Sequence, residues 1–268
     1  MVSALARTPS RDSTLRTELN IEFVDHSTVE LVKTNASDED VAYAAWVSNF
    51  AEKAKERDTT RIEGLINFLY RENHTSPFEH GSFTFFVETP IFVTREYQRH
   101  RTWSYNETSG RYKVLEPRFY LPNRERPLVQ TGKVGQYKHD PGTDEQYEIM
   151  KACQTHAVQT AWEAYQTQLE AGIAKEVSRN ILPLNIMTQF YATANPLNVL
   201  KFMILRSEEN ALYEIRKVSQ IEEEMFKATM PLTFAAFDRQ REFFRKVKRL
   251  VELIDIDEFL AEIDPNHR

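Results

Sequence analysis

Along residues 21–34 (IEFVDHSTVELVKT) apolar and polar positions partly alternate, which predicts a half-buried strand or a short hairpin and starts the ordered chain at Ile21. The next pattern is helical. Ser37 stands three residues before Asp40, and Asp38, Glu39 and Asp40 put negative charge at the positive end of a helix over VAYAAWVSNFAEKAKE. A second helix is predicted from Thr60 to Glu72, because Ile62, Leu65, Ile66 and Leu69 recur on one face. After the loop NHTSPFEHG, the short aromatic run SFTFFVE predicts a buried strand. Thr89 before Pro90 reads as an N-cap with proline at the first helical position, so PIFVTREYQRH is expected to be a helix ending on Arg99, His100 and Arg101.

Residues 116–143 hold four of the 11 prolines and three of the glycines, which predicts an irregular excursion. A long polar helix from Asp144 to Ala171 follows, then another over GIAKEVSRNILP and a strand over NIMTQFYAT. Asn195-Pro196 opens an apolar helix to Arg206, Ala211 to Lys227 is amphipathic, and a charged helix from Asp238 to about Ile263 closes the chain. No repeat or long linker divides it. The expected fold is α/β (α+β): a single mixed domain over residues 21–268, with a central sheet and long packing helices, preceded by a disordered tail over residues 1–20.

Composition narrows the functional classes. With 41% hydrophobic and 28% charged residues over 268 positions, the chain belongs to the ordinary globular class. Lys plus Arg total 34 against 40 Asp plus Glu, and a net charge of -6 argues against coating nucleic acid or anionic membrane through bulk charge. None of the 7 glycines builds a Rossmann fingerprint or a P-loop. Cys153 is the single cysteine, which excludes an internal disulfide or a cysteine-rich zinc site and fits a reducing, cytoplasmic setting. No apolar run approaches the roughly 20 residues that span a bilayer.

The unusual stretch is REYQRHRTWSYNETSGRY, residues 95–112, with four arginines, a histidine and two glutamates around one glycine. The arginines flanking His100 offer forked, permanent positive charge suited to phosphate oxygens, and Ser109-Gly110-Arg111 adds a hydroxyl and a close backbone approach. Two readings stay open on these residues: an anion or nucleotide site, or a solvated basic turn with structural ion pairs. Arg179 and Arg206 taken alone read as ion-paired helix residues. His74 and His80 on a proline-containing loop lack the H-E-x-x-H spacing, so no metal site is expected. The aromatic residues at 83, 85, 86, 92 and 97 are expected in the core.

Arg99-His100-Arg101 followed after seven residues by Ser109 resembles the RHR-x7-S signature of flavin-dependent thymidylate synthases. SYNETSGRY continues the likeness, as do His74-Thr75-Ser76-Pro77-Phe78-Glu79-His80, Arg179-Asn180-Ile181-Leu182-Pro183 and Leu205-Arg206, in order and spacing. The resemblance covers residues 60–230 and implies a homotetramer with sites shared between subunits. It implies binding of FAD and conversion of dUMP to dTMP, with methylenetetrahydrofolate as carbon donor and NADPH reducing the flavin. By the same resemblance Arg206 is the catalytic residue, aimed at the pyrimidine to favour loss of the N3 proton. Glu96, Arg99, Glu107, Thr108, Ser109, Gly110, Arg111, Arg179 and Arg206 would hold dUMP. His74, Ser76, Arg99, His100, Arg101, Glu107, Asn195 and Lys201 would hold FAD. Glu96, Leu197, Lys201 and Asn210 stand where the family often has other residues. The alternative is a nucleotide- or nucleic-acid-binding module without turnover, built on the same arginines.

Overall fold

The structure is a computed structural model and describes residues 15–16, 20–50, 59–133 and 137–253. In chain order the strands are β1 (Leu15–Arg16), β2 (Glu22–Val24), β3 (Thr28–Thr34), β4 (Phe83–Pro90), β5 (Ser104–Glu107), β6 (Arg118–Tyr120), β7 (Val129–Thr131), β8 (Lys138–Asp140) and β9 (Met187–Ala194). The helices are α1 (Asp38–Phe50), α2 (Ile62–Arg71), α3 (Ile91–Tyr97), α4 (Asp144–Glu170), α5 (Lys175–Ser178), α6 (Pro196–Arg206), α7 (Tyr213–Thr229) and α8 (Pro231–Leu253). The chain groups into two units, one of residues up to Asn35 with Ser82–Glu224, the other of Ala36–Gly81 with the residues from Met225 onward. The expected tail over residues 1–20 lies outside the described residues, apart from Leu15, Arg16 and Asn20, and so does the last helix beyond Leu253.

The first unit is organised by an antiparallel sheet in the order β3-β4-β9-β5. β4 is aromatic and buried along most of its length, as the run SFTFFVE predicts, and pairs with β9 from Phe83↔Ala194 to Pro90↔Met187. That register keeps Thr89 and Pro90 in the strand. The helix expected to start at Pro90 therefore begins at Ile91 and ends at Tyr97, leaving Arg99, His100 and Arg101 in the turn beyond it. β5 then pairs Ser104↔Thr193 through Glu107↔Phe190 on the far edge of β9.

A second sheet runs β1-β2-β6, with β2 parallel to β6. Neither the single strand nor the hairpin expected over residues 21–34 forms. β2 and β3 belong to different sheets, because Leu121 N donates to the Val24 carbonyl at 2.8 Å while Thr28 pairs with Glu88 on β4. On this sheet packs α4, whose Val158, Trp162 and Tyr165 join Ile21, Phe23, Phe119 and Ile186 in one core. α4 occupies the predicted span and is fixed at its start by a capping box between Thr143 and Gln146. The excursion over residues 116–143 carries three short strands, and GIAKEVSRNILP forms only the single turn α5 and a 3-10 turn. Pro183 explains the break, since it holds Leu182 extended. α6 starts as predicted, Asn195 accepting from Asn198 N at 2.9 Å.

β3 and β4 form a pair whose connection is residues 36–81. Its neck is closed within the first unit: Asn35 N donates to the Ser82 carbonyl at 3.3 Å, and Ser82 N donates to Asn35 Oδ1 at 2.7 Å.

In the second unit α1 begins where the acidic triplet predicts, with Asp40 N donating to Ser37 Oγ at 3.1 Å; its expected extension over residues 51–58 lies outside the described residues. α2 buries Ile62, Ile66 and Leu69, the face read from the sequence. α8 starts at Pro231 rather than Asp238. Buried Asp38, the first residue of α1, accepts from Leu232 N at 2.8 Å, Thr233 N at 2.9 Å and the Thr233 hydroxyl at 2.6 Å, a cap supplied from far away in the chain.

Candidate active site

Where β5 ends, the chain turns tightly. Thr108 N donates to the Gln189 carbonyl at 2.9 Å, and the Ser109 carbonyl accepts from Tyr112 N and Lys113 N. Glu107 is fixed beside the turn, accepting from the Thr188 hydroxyl at 2.8 Å. The turn forms one wall of a cleft of about 510 Å³ within the first unit. Glu107, Thr108, Ser109, Gly110 and Arg179 all line it, which brings five of the expected nucleotide residues together. Gly110 is buried against the Arg179 stem, and a Cβ there would come within 3.1 Å of Arg179 Cδ. A side chain at this position would make its neighbours give by a few tenths of an ångström.

Four cationic side chains, Arg95, Lys113, Arg118 and Arg179, face the cleft. Arg118 is ion-paired with Glu88 and, at 3.0 Å, with Glu22, and Lys113 with Glu116 at 3.1 Å. Among the described residues Arg95 and Arg179 have no carboxylate partner. They are the guanidinium groups available to an anion entering here. Thr188 and Gln189 were not singled out from the sequence, and Arg95 entered only as one of the four arginines of residues 95–112, with no role of its own. Thr188 and Gln189 lie on β9, whose alternation marks a strand but not which end borders a cavity.

Arg206 sits elsewhere in the same unit. At the C-terminal end of α6, half-buried, it donates from Nη1 to Glu96 Oε2 at 2.7 Å, from Nη2 to the Glu96 carbonyl at 3.0 Å and from Nε to His100 Nε2 at 3.1 Å. None of these three residues lines the cleft. Burial and then the Arg206 charge push the His100 pKa from 6.5 down to about 4, so its ring is neutral and accepts the Arg206 proton donor. The turn carrying His100 is tied down by the Tyr105 hydroxyl, shared between the Tyr97 carbonyl (2.8 Å) and the His100 carbonyl (3.0 Å). Tyr97 is fully buried, its ring 4.6 Å from that of Phe202, and its hydroxyl donates to Glu222 on α7. Burial raises the Glu222 carboxyl from 4.5 to about 8 and raises the Tyr97 phenol as well.

The remaining expected residues are dispersed. Arg111 turns away from the cleft and pairs with Glu176 at 2.9 Å. Arg99 and Arg101 are exposed, without a carboxylate partner among the described residues, on either side of His100. The Asn195 side chain caps α6, and Lys201 is exposed on it. His74 and Ser76 belong to the second unit, where the His74 ring lies edge-on to Phe68. Among the described residues no group of three or more His, Cys, Asp and Glu could hold a metal, and no helix is long and apolar enough to cross a membrane.

A family model described as thymidylate synthase complementing protein matches residues 30–232. A flavin-dependent thymidylate synthase of Streptomyces avermitilis is 44% identical over 232 residues, covering 82% of this chain and 94% of that one. A protein of the same name from Tropheryma whipplei is 44% identical over 227 residues, covering 81% and 95%. Among solved structures, the UMP/dUMP methylase PolB of Streptomyces cacaoi, bound with 5-Br dUMP, superposes with a TM-score of 0.78 at 39% identity over 82% of this chain and 97% of that one. The mixed helix-and-sheet fold, the turn that follows Arg99-His100-Arg101 and these likenesses agree: the chain belongs to the family of flavin-dependent thymidylate synthases, a family of enzymes.

Proposed function

We propose that the protein methylates dUMP at C5 to give dTMP, with methylenetetrahydrofolate as carbon donor, NADPH as reductant and FAD as bound cofactor. The observation that carries this reading is the cleft in which Gly110 packs on Arg179, beside Arg95 and the Ser109 hydroxyl. Its two available guanidinium groups suit the phosphate of a nucleotide. Glu107 and Thr108 on the adjoining edge offer an acceptor and a hydroxyl to the sugar and base.

Bound FAD would supply the hydride that completes the methyl group, because a methylene carbon arrives two electrons short of one. Arg99 and Arg101, exposed and without carboxylate partners among the described residues, fit its diphosphate. His100, Glu107, Ser76, His74, Asn195 and Lys201 complete the set inferred from the family. Arg206 stabilises negative charge on the pyrimidine and so raises electron density at C5. Glu96, Arg99 and Arg111 serve the nucleotide beside it. In one chain the Arg206 group does not line the cleft, and a homotetramer that joins the cleft of one subunit to the Arg206 group of another accounts for that separation. We assign residues 21–268 to one catalytic domain working in the cytoplasm.

The test is direct. Purified protein is expected to absorb near the ~450 nm band typical of flavins, to form dTMP from dUMP, methylenetetrahydrofolate and NADPH, and to run as a tetramer. A protein that takes up no flavin on reconstitution and forms no dTMP overturns the proposal.

A further inference from the structure

Behind Tyr97, the last residue of α3, stands an acid that no substrate contact explains. Glu222 on α7 is fully buried, and its Oε1 accepts from the Tyr97 hydroxyl, which is buried with it. Its other oxygen, Oε2, has no partner among the described residues. A buried carboxylate served by one donor is costly, whereas the neutral acid tolerates the same surroundings. Burial accordingly raises Glu222 to about 8, so that below this pH it holds Tyr97 as an acid.

The turn of Arg99, His100 and Arg101 hangs on Tyr97. The Tyr97 carbonyl accepts from His100 N at 3.1 Å and from the Tyr105 hydroxyl at 2.8 Å, and that hydroxyl also reaches the His100 carbonyl at 3.0 Å. The Phe202 ring packs on both residues, 4.6 Å from the Tyr97 ring and 4.8 Å from that of His100. His100 Nε2 in turn accepts from Arg206 at 3.1 Å. We propose that Glu222 is a positioning residue: by holding the Tyr97 hydroxyl it fixes the carbonyl that carries this turn and, through His100, the seat of Arg206, an inference that rests on the function proposed above. With its hydroxyl tied to α7 and its carbonyl tied to β5, Tyr97 cannot tilt without breaking one of the two bonds. Placement at this level counts, because a shift of about 1 Å in a positioned group can cost roughly 100-fold in rate.

Ionisation of Glu222 releases the hold. A carboxylate with a single donor in the core draws water or withdraws, and Tyr97 loses its fixed partner. The titratable groups facing Glu222 are Tyr97 on α3 and Tyr105 on β5, and burial first and the Glu222 charge next raise both phenols, which stay neutral where Glu222 titrates. The guanidinium charge of Arg206 on α6 also reaches Tyr105. His100, lowered to about 4, is neutral throughout this range.

The experiment compares FAD-loaded wild type, Glu222→Gln, Glu222→Leu and Glu222→Leu with Tyr97→Phe, at a temperature where all stay folded. Glutamine keeps an acceptor for Tyr97 and cannot ionise. The ratio of kcat/KM for dUMP in Glu222→Gln to that in wild type is expected to be flat at lower pH and to rise as pH passes about 8. Tryptophan fluorescence reads the turn without turnover, because the Trp103 ring lies 5.4 Å from those of Tyr97 and Phe202. Wild type is expected to show a fluorescence step near the same pH that Glu222→Gln lacks. Glu222→Leu leaves a buried hydroxyl without an acceptor and is expected to lower kcat/KM roughly tenfold, most of which returns when Tyr97→Phe removes that hydroxyl. A flat ratio across the range overturns the proposal, as does a fluorescence step shared by wild type and Glu222→Gln, or a double variant no better than Glu222→Leu. A wild type that forms no dTMP overturns the function proposed above, while the fluorescence pair still reports whether Glu222 holds the turn.

Discussion

A single methyl group at Gly110 reaches both the turn and the guanidinium that define the cleft. The Cβ of a Gly110→Ala variant would lie 3.1 Å from Arg179 Cδ and 3.2 and 3.3 Å from Leu115 Cδ1 and Cγ. Favourable carbon contacts begin at about 3.5 Å, so the neighbours must retreat by a few tenths of an ångström. Leu115 packs on the core around Ile21 and Phe119 and resists; the flexible Arg179 stem gives way. Overpacking of this size costs about 1–2 kcal/mol of stability. Displacing the guanidinium from the phosphate removes a charge-assisted hydrogen bond worth about 1.5–3 kcal/mol, which weakens dUMP binding roughly 10- to 150-fold. Calorimetric titration reads this, with deoxyuridine as control because it lacks the phosphate. The reasoning fails if the well-folded variant binds dUMP within about twofold of wild type, or if deoxyuridine loses as much affinity as dUMP.

Arg206→Ala is expected to abolish dTMP formation while leaving the melting temperature near that of wild type; an active variant removes Arg206 from the chemistry. Asp38→Ala strips the cap from α8, three hydrogen bonds to a carboxylate, and is expected to cost about 2–3 kcal/mol in a denaturant titration. A loss below about 0.5 kcal/mol contradicts the cap. Glu222 keeps its proton in the folded chain up to about 8 but releases it at its ordinary 4.5 when unfolded. The folded state therefore binds the extra proton between those limits, and stability falls as pH rises from about 4.5 to about 8. Glu222→Gln, a neutral copy of the protonated acid, removes that slope. Wild-type and variant melting curves that stay parallel across this range refute the assignment.

Much of the local structure was legible because short-range chemistry decided it. The run at β4 is too aromatic and too short for anything but a buried strand, and Asn195-Pro196 leaves α6 one place to start. The Arg-His-Arg motif identified the family, and the blocks around Ser109 and Arg179 supplied five of the residues that line the cleft. What was missed depends on distant partners. β5 is four polar residues that become a strand because β9 offers an edge, and α8 begins seven residues early because Asp38 reaches its first turn. β2 and β3 read as one pattern, yet their partners separate them. Arg95 carries no distinguishing spacing, and the grip of Glu96 on Arg206 spans more than a hundred residues.

The neck between Asn35 and Ser82 has an implication for how this chain can vary. Thr34 and Phe83 are register partners, so the two strands meet as though joined by an ordinary turn, and everything from 36 to 81 is threaded between adjacent rungs of one ladder. Lengthening a flexible connection twofold costs only about 0.6 kcal/mol. With the rungs on either side already tied, the length of that connection can change while the ladder keeps its alignment and the cleft at the other end of the sheet keeps its shape, provided that His74, Ser76 and the Asp38 cap of α8 are kept.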